Sequence, residues 1–188
     1  MRKVIGEVPS AILVVAVTVF LLLVSTGYSQ NAEHTSVYLI GANCSGAPPA
    51  KSWMAVHVFH VRGVTFLHGI TSDNPLLTGT DMMVADYDFN TKTGKGTLHG
   101  RITLYPIEVE GTWEGVMSGQ FYGGRTYLQV VAHGTGGLSG QTLKYDMEAS
   151  IPAEEVPGLP ADICSGYPLD PPNVGFVAEG RILTPHGY

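Results

Sequence analysis

After an apolar opening stretch, large apolar side chains recur at every second position in short runs, and the runs are broken by Gly, Asn, Asp and Pro. That two-residue period is the signature of strands, whose successive side chains point to opposite faces. Ser52 to His60 alternates, with Trp53, Ala55, His57 and Phe59 on one face. Val64 to Ile70 is expected as its hairpin partner, with Arg62-Gly63 at the turn. The cluster Thr71-Ser72-Asp73-Asn74-Pro75 marks a further turn, Leu76 to Phe89 reads as one or two strands, and Asn90 to Gly94 turns again. Gly96 to Tyr105, Gly111 to Phe121, Arg125 to His133 and Gln141 to Ser150 continue the series, and Phe176 to Leu183 supplies a closing strand. No window of eleven or more residues after the opening stretch carries a helical apolar period.

Glycine placement sharpens this into an architecture. Trp113, Gly115, Met117, Gly119 and Phe121 share one strand face, so small positions alternate with large ones. Glycine inside a strand weakens it unless a sheet must bend there or a neighbouring side chain needs the room. Small barrels have that need on their inner face. The expected fold is therefore all-β, an antiparallel up-and-down barrel of about eight strands, with Trp113, Met117 and Phe121 turned inward as candidate ligand-binding residues.

The first residues have another character. Met1-Arg2-Lys3 is positive, Ala11 to Val24 is nearly all apolar, and Ser25 to Gln30 is small and polar. These are the three regions of a secretory signal peptide. The apolar core is short beside the roughly 20 residues of a membrane span. The expected organisation is a signal peptide over 1–29, an N-terminal linker over 30–51 and a barrel domain over 52–188. The expected location is secreted or periplasmic; the alternative is a membrane anchor formed by residues 4–24. Between Pro152 and Gly175 six prolines appear with little alternation, a composition for a long loop that is functional or mobile. The only cysteines, Cys44 and Cys164, both follow the leader and most simply form one disulfide. Asn43-Cys44-Ser45 fits the N-glycosylation pattern.

Charge narrows the function classes. Without the leader the chain has eight basic and fifteen acidic residues, a net charge of −7. There is no basic stripe to bind a phosphate backbone, so nucleic acid is not an expected partner. A membrane is expected only through an uncleaved leader.

Candidate chemistry is sparse. His57 and His60 lie three apart, on opposite faces of a strand, and cannot share a metal there. Asp86, Asp88 and Asn90 resemble the start of a calcium loop, but Thr91 replaces its glycine and Thr97 its closing glutamate. His99, Arg101 and Glu114 fall on the outside under simple alternation; with the opposite register they would meet inside as an acid–base set. Tyr127, Gln129 and His133 share a face with Val131, which puts them in the lumen only if Val131 points inward. His57, Glu114 and Tyr127 are the candidate catalytic residues this leaves. No nucleophile elbow, phosphate loop or dinucleotide fingerprint occurs, and nothing calls for a cofactor or a metal.

Three segments carry a resemblance: Ser72-Asp73-Asn74-Pro75-Leu76-Leu77-Thr78-Gly79-Thr80, Gly111-Thr112-Trp113-Glu114-Gly115, and Gly134-Thr135-Gly136-Gly137-Leu138-Ser139-Gly140. They resemble uncharacterised secreted bacterial proteins similar to the barrel of allene oxide cyclases and dirigent proteins, within the calycin-like group. The resemblance spans roughly Ser52 to Leu183. It implies a lumen that holds a small apolar molecule, and in the characterised relatives steers its cyclisation or coupling. Their catalytic residues have no match at positions here. Three functions stay open: a barrel that binds a small apolar ligand, a cofactor-free isomerase or cyclase of the allene oxide cyclase type, and a surface interaction module using the proline-rich loop.

Overall fold

The computed structural model describes residues 33–185. The leader over 1–29 lies outside the described residues. Nine strands follow one another: β1 (Glu33–Ala47), β2 (Lys51–Ala55), β3 (Val58–Ser72), β4 (Gly79–Asn90), β5 (Lys95–Pro106), β6 (Trp113–Tyr122), β7 (Arg125–Gly134), β8 (Thr142–Pro152) and β9 (Val174–Thr184). Each strand from β3 to β9 pairs antiparallel with the next. β9 pairs with β1, and β1 returns to β3 from Leu39↔Ser72 to Ala47↔Thr65. That last pairing closes an eight-stranded up-and-down barrel. β2 is the ninth strand; it extends the line of β1 along the same side of β3, from Lys51↔Arg62 to Ala55↔Val58, and its outer side is unpaired.

Two expectations about the first half are corrected. The stretch expected as a linker, 30–51, contains a full stave of the barrel from Glu33 to Ala47. Its alternation is hidden because both faces are covered: Val37 and Leu39 point into the barrel core, while Ile40, Ala42 and Cys44 are buried on the outside in two separate small clusters. A strand buried on both faces reads as a continuous apolar run. The hairpin turn also lies elsewhere. The chain reverses at Val56-His57, with Val56 at φ 55°, and Arg62-Gly63 forms a bulge inside β3 where the register against β4 slips.

The glycine-spaced face of β6 does point inward. Trp113 is 0% exposed and Met117 2%. The missing side chains make the room: a Cβ at Gly100 would stand 2.7 Å from Met117 Cε, and one at Gly119 would stand 2.8 Å from Leu128 Cδ2. The end of the barrel where β6 begins is closed by packed side chains. Leu77 and Leu138, from the 3-10 turns Pro75–Leu77 and Gly136–Leu138, are buried in the same cluster as Trp113, Leu104 and Leu143. The Trp113 Nε1–H donates to the carbonyl of Leu76 at 3.0 Å, which ties the plug to β6.

The proline-rich segment is a strap laid over the outside of the barrel. Val156 and Leu159 cover Ile40, Ile151 and Val177, and Ile163 with Cys164 covers Ala42 and Cys44. Cys44 and Cys164 are joined in a disulfide, and Leu169 N–H donates to the carbonyl of Cys44 at 3.0 Å. The strap passes so close to β3 that a Cβ at Gly69 would stand 2.4 Å from the Ile163 carbonyl oxygen. Gly69→Val is expected to lift the strap and leave the barrel standing. Limited proteolysis should then nick between Gly158 and Gly166 faster than in the parent, with a modest loss in Tm; an unchanged digestion pattern would show that the strap does not depend on this contact.

Candidate functional site

The plugged end leaves space at the other. At the end that carries the short connections Val56-His57, Thr91 to Gly94 and Gly123-Gly124 lies a cavity of about 390 Å³, lined by strand residues and, where the strap runs into β9, by Val174 and Gly175. Inward positions two apart on β4 give it Tyr87 and Phe89, while β3 contributes Phe59 and β6 Phe121. The four rings meet edge to face: Phe59 with Tyr87 at 6.5 Å, Tyr87 with Phe121 at 5.6 Å, and Phe89 with Phe121 at 6.2 Å. Edge-to-face contact is the arrangement aromatic quadrupoles favour. Burial pushes the Tyr87 hydroxyl above its ordinary pKa, so it stays protonated and neutral. Below this collar, Met83, Leu98, Leu128 and Met147 line the walls.

A few polar groups interrupt the apolar lining. Ser150, at the bulge in β8 with φ 62°, shares a 2.9 Å hydrogen bond with the hydroxyl of Thr126. Deeper in, three polar residues form one row across neighbouring strands: Asn43 on β1 opposes His68 on β3, and His68 opposes Asp81 on β4. Asn43 and His68 line the cavity. His68 Nδ1 lies 2.6 Å from Asp81 Oδ1. Asp81 is 0% exposed and His68 9%. The His68 ring lies nearly parallel to that of Phe66 at 6.1 Å and takes the edge of Phe176 at 5.6 Å. Asn43 Oδ1 and Asp81 Oδ2 are buried without hydrogen-bond partners. Tyr145, also buried, has its hydroxyl held well above its ordinary pKa by burial and by the charge of Asp81.

The three candidate catalytic residues lie elsewhere. His57 is exposed at the β2–β3 turn, and Glu114 is exposed on the outer face of β6. Tyr127 is on the outer face of β7, stacked on Tyr122 at 4.4 Å. Alternation decides this: Thr126, Leu128 and Val130 are buried, so Tyr127, Gln129, Val131 and His133 face out. His99 and Arg101 are exposed as well. Of the candidate binding residues, Phe121 lines the cavity, whereas Trp113 and Met117 belong to the packed core and are absent from its lining.

Asp86, Asp88 and Asn90 also face outward, and all three are engaged by the protein itself; Asn90 Oδ1 accepts from the N–H groups of Lys92 and Thr93 at 3.0 and 3.1 Å. Asp86 Oδ1 accepts from the N–H of Gly63 at 2.7 Å, supporting the β3 bulge. Asp88 Oδ1 lies 2.8 Å from Arg62 Nη1 and 2.7 Å from His60 Nδ1. The Arg62 hydrogen bond, with that of His60, holds the Asp88 carboxyl below its ordinary pKa despite partial desolvation. Trp53 stacks on His60 at 4.8 Å, and Arg62 sits over the Trp53 ring at 5.2 Å. A depressed carboxylate pKa stabilises the fold fully above the unfolded value, and that contribution is lost as pH falls through the folded one. Arg62→Ala is expected to move the Asp88 pKa upward toward the ordinary carboxylate value in an NMR pH titration; an unmoved titration would show that the guanidinium is not its cause.

The signal for His68 and Asp81 was present but weak: each is a lone polar residue at an inward position of a strand, and nothing in the chain says that these two strands are register partners. Compared with known proteins, the chain matches no protein-family model, no curated protein and no solved structure.

Proposed function

We propose that the protein holds a small, largely apolar molecule in the open half of its barrel, and that it does so outside the cytoplasm. The observation that carries the reading is the cavity of about 390 Å³ under an aromatic collar, with only a handful of polar groups. Ligand sites in proteins run from roughly 300 to 1,000 Å³ and are mainly apolar with a few placed polar groups. The size favours a compact molecule of one to three rings over a long lipid. The resemblance to allene oxide cyclase and dirigent barrels points the same way. The disulfide and the signal-peptide-like leader support a secreted or periplasmic location, since disulfides persist in oxidising compartments.

Titration with the neutral fluorophore 1-aminoanthracene is expected to give saturable fluorescence enhancement with a micromolar Kd. Ala149, on the cavity wall, is the position to fill. Ala149→Trp is expected to weaken binding at least about tenfold, the equivalent of about 1.4 kcal/mol. No saturable binding by the parent, or equal binding by this variant, would reject the lumen as the site.

The alternative of a surface module using the proline-rich segment has less behind it. The apolar residues of the strap, Val156, Leu159 and Ile163, are engaged against the barrel.

A further inference from the structure

We infer that His68 and Asp81 form a proton-transfer site facing the lumen, and that the occupant carries a carbonyl with an acidic C–H group beside it, which the site isomerises without a cofactor. This deepens the lumen-binding reading and rests on it. Three observations converge. The pair sits where a bound molecule would touch it, because His68 lines the cavity. Its geometry suits a base: Asp81 Oδ1 lies 2.6 Å from His68 Nδ1, and in the tautomer in which an ionised Asp81 accepts the Nδ1–H the neutral ring presents an unprotonated Nε2, for which no hydrogen bond to a described residue is found. A carboxylate that holds the tautomer and plane of an imidazole is the arrangement by which proteins orient a histidine base. Finally, the pair is expensive as mere packing. Asp81 Oδ2 and Asn43 Oδ1 are buried and unpaired beside it, and a buried polar atom without a partner carries its full desolvation cost. Two apolar side chains would have filled the same cross-strand positions without that cost.

The chemistry closes on itself. Nε2 takes a proton from the carbon next to the carbonyl. The C–H electron pair becomes a carbon–carbon double bond as the carbonyl pair moves onto oxygen. Asn43, across the strand pair from His68 and on the same cavity wall, carries amide N–H groups suited to that oxygen. The occupant also carries a carbon–carbon double bond one carbon beyond that C–H. The imidazolium returns its proton to the far carbon of this bond, the pair on oxygen re-forms the carbonyl, the newly formed carbon–carbon pair shifts one bond along, and the double bond ends in conjugation with the carbonyl. No electrons leave or enter, and the ring ends as it began. Asp81 is a positioning residue here; it does not touch the substrate. The titratable groups near the ring inside the barrel are Asp81, Tyr145 and, on the collar, Tyr87; Lys and Arg are absent from the lining.

The test uses 5-nitrobenzisoxazole, a small flat probe that reports a base in an apolar pocket. Removal of its one acidic C–H proton breaks the ring N–O bond and leaves a nitrile and a coloured phenolate. The parent is expected to open it with saturation kinetics, faster than free imidazole at equal concentration, and with a rate that rises with pH to a plateau. His68→Gln is expected to lower kcat about 100-fold or more, the lower range for a positioned base, with KM changed less than about threefold. Asp81→Asn is expected to fall in between. Because either variant could lose its fold, 1-aminoanthracene is added to the parent as a competitor and should suppress the reaction as it fills the cavity. If the dye binds but the parent is no faster than imidazole, or the dye fails to inhibit, or a folded His68→Gln keeps its kcat, the proton-transfer site is overturned and the binding reading stands. If the dye does not bind at all, the binding reading falls, and this inference with it.

Discussion

Trp113→Ala is expected to cost about 3–5 kcal/mol, the range for emptying a large aromatic site in a core. The indole is fully buried and bonded to the Leu76 carbonyl, and it packs at the plugged end where no solvent-filled space can absorb the loss. For a domain of this size each kcal/mol moves Tm by about 2–4 °C, so the transition should fall by about 6–20 °C. The variant separates two parts of the molecule. Trp113 is not on the cavity wall, so dye affinity measured well below the new Tm should change far less than stability does. Trp113→Phe isolates the hydrogen bond, since it keeps an apolar ring and leaves the Leu76 carbonyl without its indole donor. A Tm for the alanine variant within a degree or two of the parent would mean that the plug does not hold the barrel shut.

Removing the disulfide is expected to have an effect of similar size. The bridge joins residues 120 apart in sequence. A loop of that length restricts the unfolded chain by about 4–5 kcal/mol in the chain-entropy account, and losses of about 2–5 kcal/mol are typical when a native bridge is removed. The double variant Cys44→Ala, Cys164→Ala should therefore unfold at clearly lower denaturant, with a steeper slope because the unbridged unfolded chain is more expanded and exposes more surface. The strap should loosen before the barrel does, because its grip on the outer face of β1 is the two small clusters around Ile40 and Ala42. Hydrogen exchange would show this as early loss of protection at Leu169, whose N–H bonds the Cys44 carbonyl. Equal stability with and without the bridge would contradict the account.

How much of this could be read from the chain depended on which side of each strand was covered. Where one face meets the lumen and the other meets water, the period of two is plain. β6 is the clearest case, and the inward set Trp113, Met117 and Phe121 follows from it. Where the strap covers the outside, as on β1, the period disappears and a stave looks like a linker. Bulges hide register in another way. Arg62-Gly63 has the composition of a turn, and only the continued pairing of β3 with β4 on both sides of it shows a bulge. The site suffered most. His57, Glu114 and Tyr127 drew notice for their chemistry, but alternation against buried neighbours places them outside. His68 and Asp81 acquire meaning only when pairing sets them face to face, and that pairing spans a turn whose length the local pattern does not fix. The cavity itself is a property of the closed sheet and of no single segment.

The ninth strand has a consequence for how these molecules behave in a crowd. Closure of the barrel gives every stave a neighbour on each side over at least part of its length, and the outer rim of β2 is one free edge at which the sheet could recruit another chain. That rim is five residues long and begins at Lys51, while Trp53 is occupied from above by Lys51 and Arg62. Short length and positive charge are what keep such a rim from templating fibrils. Past Ala55 the guard ends: Val56, at the hairpin tip, is 89% exposed. A charge-neutralising change at Lys51 would therefore threaten solubility at high concentration well before it threatened the fold.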